Sequence, residues 1–248
     1  MIFWNVMRMK LICLLFCFLC VSYSSFSQSF EADTISINDQ VKQSVQLYDH
    51  FIGAEGNLYN GRDYISYDFK EEGIPFFLSD TLSRGWISYQ GRLYMQIPLQ
   101  YDIVRNQVVI INYNRRYKIV LQNDLIDSFH LLNHTFLRLK INPEQNLDNT
   151  TFYDLLYNGH IRILAIREKR INEIIKEGEI VQVFYKQERF YVYKMDNYYL
   201  VNSRKDIFRL FNEKKHQIKS MMRRQKIKFR RNNFEKALVV AATIYDQH

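Results

Sequence analysis

The fold is decided by residues 86–141, WISYQGRLYMQIPLQYDIVRNQVVIINYNRRYKIVLQNDLIDSFHLLNHTFLRLKI. Short apolar or aromatic runs in this stretch are cut by Gly, Asn or Asp about every 8–12 residues, which is typical of an antiparallel meander. Residues 108–111 are apolar at every position, as expected of a strand in the middle of a sheet. Leu137 and Leu139 alternate with Arg138, which predicts one buried and one solvated face. We therefore expect a sheet to be the scaffold.

The composition favours a globular, strand-rich chain. Of the 248 residues, 47% are apolar, which is enough for a substantial core. Only 3 Pro and 8 Gly occur, whereas Tyr and Phe each occur 18 times, so linker-like and low-complexity classes are excluded. Aromatic residues are enriched in strands.

Residues 1–27 have the features of a secretory signal peptide. Arg8 and Lys10 precede an uninterrupted apolar run, residues 11–21, and a small polar segment that ends at Ser27 is typical of a cleavage site. A run of about eleven residues is too short for a membrane anchor, which needs about 20. We predict cleavage after Ser27 and no transmembrane helix in the mature chain.

All three cysteines, Cys13, Cys17 and Cys20, lie inside this segment. The mature chain would contain none, which excludes disulfides, cysteine nucleophiles and thiolate metal sites from it. Its stability would therefore come from its core.

The mature chain divides into a β-rich domain, residues 28–202, and a basic helical segment, residues 203–248. The spacing of Val41, Val45 and Ile52 predicts a short N-terminal helix in the first of these. A first strand is predicted over residues 64–69, where the chain alternates. A later strand covers residues 93–99, and its pattern predicts one buried face made of Leu93, Met95, Ile97 and Leu99.

Two helices are predicted after residue 202. Ser203 followed by Asp206 resembles a capping box, and one apolar stripe runs from Ile207 to Met222. A second helix is predicted to begin at Asn233. The predicted fold class is therefore α+β: a Tyr-rich antiparallel meander, sandwich-like or barrel-like, with the short N-terminal helix and two C-terminal helices packed on or beside it.

Positive charge is concentrated in residues 204–231, which hold twelve Lys or Arg and two acidic residues. Such a segment attracts phosphate-rich partners in a salt-dependent way. We predict binding to anionic lipid head groups or an acidic envelope protein, and nucleic acid is the least favoured partner for an exported chain. The competing interpretation is a solvated helix face. The predicted binding residues are Lys214, Lys215, Lys219, Arg223, Arg224, Lys226, Lys228, Arg230 and Arg231.

Residues that suggest metal binding or catalysis are sparse. His130 and His134 stand four apart, as two metal ligands on one helix face would, but their neighbours favour strand and turn. Asp102, Asp124 and Asp127 are candidates for paired carboxylates, and each also suits a turn. No nucleophile elbow, phosphate-binding loop or dinucleotide fingerprint occurs. We predict no metal and no cofactor, and assign no catalytic residue.

Tyrosines on the predicted strands suit either cross-strand packing or a groove for glycan or peptide. They are Tyr94, Tyr113, Tyr117, Tyr191, Tyr193, Tyr198 and Tyr199.

The signal that ends in Ser27 before Gln28, together with the Tyr, Asn and Lys-rich mature chain, resembles uncharacterised exported proteins of Bacteroidetes-type Gram-negative bacteria. This resemblance implies a location in the periplasm or on the periplasmic face of the outer membrane, and no known active site. We expect a non-enzymatic binding or structural component of the cell envelope. The alternative is a carboxylate-dependent hydrolase that acts on an envelope polymer.

Overall fold

The computed structural model describes residues 54–67, 71–139, 147 and 150–247. The strands are β1 (Arg62–Asp63), β2 (Glu71–Glu72), β3 (Ser83–Tyr89), β4 (Arg92–Asp102), β5 (Gln107–Ile111), β6 (Lys118–Val120), β7 (Ile126–Leu131), β8 (His134–Arg138), β9 (Phe152–Asn158), β10 (Arg162–Lys176), β11 (Glu179–Lys194) and β12 (Asn197–Leu200). The α-helices are α1 (Ala54–Leu58), α2 (Arg204–Leu210), α3 (Lys215–Arg224) and α4 (Phe234–Asp246). The signal peptide and the helix predicted around Val45 lie outside the described residues.

The strands form one sheet in the order β1-β6-β5-β4-β3-β7-β8-β9-β10-β11-β12, with β2 paired to β11. This order contains two meanders, β3 to β6 and β7 to β12, which join where β3 pairs with β7. Described neighbours are antiparallel except β2 and β11. The prediction of an antiparallel sheet followed by C-terminal helices is confirmed. The predicted central strand is β5, which lies between β4 and β6.

The first half of the sheet curls around its own core. The ring of Tyr101 on β4 lies 5.1 Å from that of Phe136 on β8 and 5.8 Å from that of Phe152 on β9. Three strands separate β4 from β9, so a flat sheet would hold them about 19 Å apart. The N–H of Lys169 on β10 also donates to the carbonyl of Ile103, just after β4, at 3.0 Å. One face of the curved sheet therefore makes this core.

The predicted buried face of residues 93–99 is wrong at its start. Leu93 is 62% exposed and Met95 57% exposed, whereas Leu99 is buried. Gln96 has a φ of 58°, and the β3–β4 register shifts at this level, which marks a β-bulge. The extra residue reverses the alternation, so Tyr94 packs against the core instead.

The strand predicted over residues 64–69 is also wrong in its described part, because residues 64–67 have no regular structure. The hydroxyls of Tyr64 and Tyr67 donate to Asp102 at 3.0 Å. The N–H of Tyr64 also donates to the carbonyl of Lys118 on β6 at 2.9 Å, so one backbone bond and the two hydroxyls hold these residues.

The longest hairpin extends beyond the core. Residues 170–180, which end β10 and begin β11, are all exposed. Ile175 and Ile180 pair across the hairpin end and are 80% and 66% exposed. This end contributes little to the folded core.

The C-terminal segment forms three helices rather than the predicted two. The helix predicted from Ile207 to Met222 is interrupted by a 3-10 turn, Asn212–Lys214, because Phe211 leaves the helical conformation. The interruption lets α2 and α3 both bury apolar residues in one cluster with β10, β11 and α4. Among the described residues, no helix is both long and apolar enough to cross a bilayer.

Candidate anion-binding site

Two adjoining cavities of about 530 and 480 Å³ lie where α2, α3 and the connector residues 225–233 meet. We call them together the cationic hollow. Its basic lining residues are Arg204, Lys219, Arg223, Lys226, Lys228 and Arg230, and its other lining residues are Phe208, Met222, Ile227, Phe229 and Asn233. The hollow thus combines positive charge with an apolar surface.

The N-terminus of α2 places Arg204 and Phe208. The Oγ of Ser203 accepts a hydrogen bond from the N–H of Asp206 at 3.3 Å and donates to its carboxylate at 2.7 Å. The hydrogen bond from Ser203 lowers the pKa of Asp206, which also accepts from Arg209 at 3.2 Å. Asp206 lines neither cavity. The predicted cap therefore forms, and it engages one of the two acidic residues of the segment.

The C-terminus of α3 turns the connector sharply at Lys226. The N–H of Ile227 donates to the carbonyl of Met222 at 2.9 Å, and that of Lys226 to the carbonyl of Arg223 at 3.1 Å. With a φ of 54° at Lys226, these two bonds form a Schellman motif. Such a motif ends a helix in one defined geometry, so it sets the start of the connector.

Aromatic contacts hold the middle of the connector. The ring of Phe229 lies 5.6 Å from that of Phe208 on α2 and 6.2 Å from that of Phe234 on α4. Phe234 in turn lies 5.5 Å from Phe190 on β11. Because Phe229 is fixed on both sides, Lys228 and Arg230 next to it stay beside the cavities.

The basic residues of the hollow have no acidic partner within the described chain. The Arg204 guanidinium and the Lys219 ammonium lie 5.1 and 5.4 Å from the centre of the Phe208 ring. Glu213, the other acidic residue of the segment, accepts from the Tyr245 hydroxyl instead. The hollow therefore carries uncompensated positive charge.

The nine predicted binding residues occupy different places. Five of them line the hollow: Lys219, Arg223, Lys226, Lys228 and Arg230. Lys214 donates to the carbonyls of Tyr245 and Gln247 at 2.8 and 2.9 Å, where a cation suits the end of α4. Lys215 and Arg224 line neither cavity, and the side chain of Arg231 lies outside the described part. The prediction omitted Arg204, which also lines the hollow but lies further back in the sequence than the predicted residues.

A buried ion network joins the sheet to α4. Arg167 on β10, 3% exposed at its side chain, lies 2.7 Å from Asp154 and 2.8 Å from Glu235, and also pairs with Glu188. Burial alone would lower the pKa of Arg167, but Glu235 and Asp154 raise it above its ordinary value. His134 approaches Asp154 at 2.9 Å. This network was not predictable from sequence patterns, because its members are spread over four strands and a helix.

The three candidate carboxylates have separate partners. Asp102 is buried and accepts the N–H groups of Val104 and Arg105 at the turn after β4. Asp124 pairs with Arg138, and Asp127 accepts from the Ser88 hydroxyl at 3.2 Å. Each carboxylate thus has a structural contact of its own.

The two histidines lie on a hairpin rather than a helix, as their neighbours predicted. His130 pairs with Thr135 across β7 and β8, and Leu131 pairs with His134, so the two rings belong to opposite faces of the sheet. His130 stacks on Trp86 at 5.9 Å. The described residues contain no group of three or more His, Cys, Asp or Glu that suits a metal ion.

The candidate tyrosines do not share one environment. Tyr191 is 8% exposed, whereas Tyr113 is 72% exposed. The rings of Tyr193 and Tyr198 pack together at 4.7 Å on paired strands. Cross-strand packing describes this last pair.

A third cavity, of about 590 Å³, lies near the other end of the sheet and differs in charge. Asp124 lines it together with Arg62 and Arg105. The Arg105 guanidinium donates to the carbonyl of Ile65 and stacks 3.9 Å from the centre of the Tyr67 ring. Its charges are therefore mixed, unlike those of the cationic hollow.

Fold and site together define an antiparallel α+β protein with a cavity lined by Lys and Arg in its C-terminal helices. No family model, no curated protein and no solved structure matches the chain.

Proposed function

We propose that the protein is a non-enzymatic, exported binding component of a bacterial cell envelope, located in the periplasm or on the periplasmic face of the outer membrane. It attaches to an anionic surface through the cationic hollow. One observation carries this proposal: six Lys and Arg side chains line the hollow without an acidic partner among the described residues.

The expected attraction is large enough for attachment to an anionic membrane surface. A Lys or Arg near an anionic bilayer contributes about 1 kcal/mol, so six of them contribute up to about 6 kcal/mol. Salt screens this attraction, because the Debye length falls from about 10 Å at 0.1 M to about 3 Å at 1 M. An acidic envelope protein offers similar charge and is the alternative partner. The vesicle experiment below distinguishes it from a membrane. Nucleic acid is not proposed, because the chain is exported.

The sheet serves as the scaffold for these helices. We infer that its Tyr-rich first half is barrel-like, since the rings of Tyr101 and Phe152 meet across three intervening strands. A hydrolase gains no support from the separate placements of Asp102, Asp124 and Asp127. His134 and Asp154 do approach each other, but they line neither the hollow nor the third cavity.

Sedimentation with vesicles tests this function. Protein exported by a Gram-negative host and purified from its periplasm should begin at Gln28. It should sediment with phosphatidylglycerol-containing vesicles at about 0.1 M salt, detach at about 1 M, and ignore neutral phosphatidylcholine vesicles. Indifference to lipid charge would reject the membrane partner, and retention in the cytoplasm would reject the location.

A further inference from the structure

The charge of the hollow exceeds what one phosphodiester neutralises. Arg204 comes from α2, Arg223 from α3, and Lys228 and Arg230 from the connector, so three separate segments supply it. A single phosphodiester with one negative charge would leave most of these cations without a counter-charge. A ligand with two phosphates would compensate more of them in the same volume.

The hollow is also partly apolar. Ile227 and Phe229 are half-buried and expose the rest of their side chains, whereas Phe208 and Met222 beneath them are buried, at 8% and 4% exposed. Inorganic phosphate would leave this surface in contact with water. A lipid would cover it with its glycerol and first acyl carbons, which is favourable.

The cavity walls are fixed by contacts within the protein. The Schellman bonds at Lys226 set the start of the connector, and the packing of Phe229 on Phe208 sets its middle. A ligand therefore meets a preformed cavity rather than one that must be ordered on binding, which reduces the entropy cost of association. Attachment to a flat charged surface by long-range attraction alone requires no such cavity.

We propose that the hollow binds one lipid head group that carries two phosphates, with the glycerol and first acyl carbons on Ile227 and Phe229. This inference rests on the proposed function, because it assumes that the partner is an anionic membrane. It adds that the protein selects a head group and does not only respond to charge density.

Vesicles of equal charge but different head group test the inference. One set contains about 10% cardiolipin, which has two phosphates, and the other about 20% phosphatidylglycerol, which has one, so the surface charge is the same. The periplasmic protein should bind the cardiolipin set at least about fivefold more tightly. Sodium pyrophosphate at the same phosphate concentration should not displace it, since it leaves the apolar surface uncovered.

A matched pair of variants locates the preference. Arg223→Gln should abolish it, whereas Arg224→Gln should keep it, because Arg224 is the next residue on α3 and lines neither cavity. Both side chains are exposed, so both variants should fold, which their thermal unfolding midpoints verify.

Three results would overturn the inference: equal affinity for the two vesicle sets, the same loss in both variants, or full displacement by pyrophosphate. Salt-sensitive binding without head-group preference would leave the proposed function standing. If the protein bound neither vesicle set, both the inference and the proposed function would be overturned.

Discussion

Lys226 adopts the left-handed conformation at the end of α3, with a φ of 54°, where glycine is the usual residue. A side chain with a Cβ is strained in this conformation, and a lysine there also adds a charge to the hollow. Lys226 therefore combines a local cost in stability with an additional positive charge in the hollow.

Replacing Lys226 with glycine should separate these two effects. Lys226→Gly should raise the free energy of unfolding by about 0.5–1 kcal/mol, because the strain disappears. It should also weaken vesicle binding, since one cation is lost. Urea denaturation and vesicle sedimentation measure the two quantities.

The control for this change is the preceding residue. Gln225 has a φ of −83°, so Gln225→Gly should destabilise the fold by flexibility alone and leave binding unchanged. Stabilisation by both glycines, or by neither, would contradict the role of the left-handed conformation.

Arg167 is the cation at the centre of the buried ion network. Arg167→Leu leaves Asp154 buried without its cation, which should lower the free energy of unfolding by about 3–5 kcal/mol. Adding Asp154→Asn to that variant should restore part of the loss, because the isolated charge is then removed. Urea denaturation of both variants measures this, and a loss under about 1 kcal/mol in the single variant would contradict the account.

At the scale of elements, regular patterns were predictable from sequence and interruptions were not. The apolar run of β5 and the Ser203 cap of α2 depend on neighbouring residues, so the sequence contains them. The bulge at Gln96 and the break at Phe211 are imposed by packing between distant segments. Both keep apolar side chains buried in the folded protein, but they interrupt the regular spacing of apolar residues in the sequence.

The candidate site follows the same division. Charge can be counted from the sequence, so the cations around Arg223, from Lys214 to Arg231, were predicted as a set. The hollow itself depends on the contact between Phe208 and Phe229, which lie 21 positions apart in sequence and pack at 5.6 Å. No local pattern indicates such a contact, and Arg204 was missed for this reason.

The junction between the sheet and α4 should be sensitive to acid. Burial alone would raise the pKa of Glu188, but Lys186 and Arg167 lower it below its ordinary value of 4.5. A carboxyl with a lowered pKa stabilises the fold above its unfolded value, and that stability is lost as the pH falls through the folded one. The loss should therefore begin near pH 4.5 and continue below it.

Glu188→Gln tests this dependence. The variant should be less stable than the parent protein at pH 7, and the difference should shrink as the pH falls below 4.5. Urea denaturation at several pH values gives both curves. A difference that stays constant with pH would mean that the carboxylate does not contribute through its ionisation.

At the scale of the whole molecule, the scaffold and the cationic hollow come from different parts of the chain. The curled sheet contributes a core, and the C-terminal helices contribute the uncompensated cations. The helices pack on β10 and β11 through a shared apolar cluster, and Arg167 reaches Glu235 on α4. The sheet thereby fixes the position of the helices that form the hollow.

We propose that the hollow, and not the general positive charge of the chain, attaches the protein to an anionic surface. Two triple variants of equal net charge test it most directly in vesicle sedimentation: Arg223→Gln, Lys228→Gln and Arg230→Gln in the hollow, against Lys205→Gln, Lys215→Gln and Arg224→Gln outside it. We predict that the first loses binding to phosphatidylglycerol vesicles by about tenfold or more and that the second keeps most of it. Equal losses in the two variants would contradict the claim.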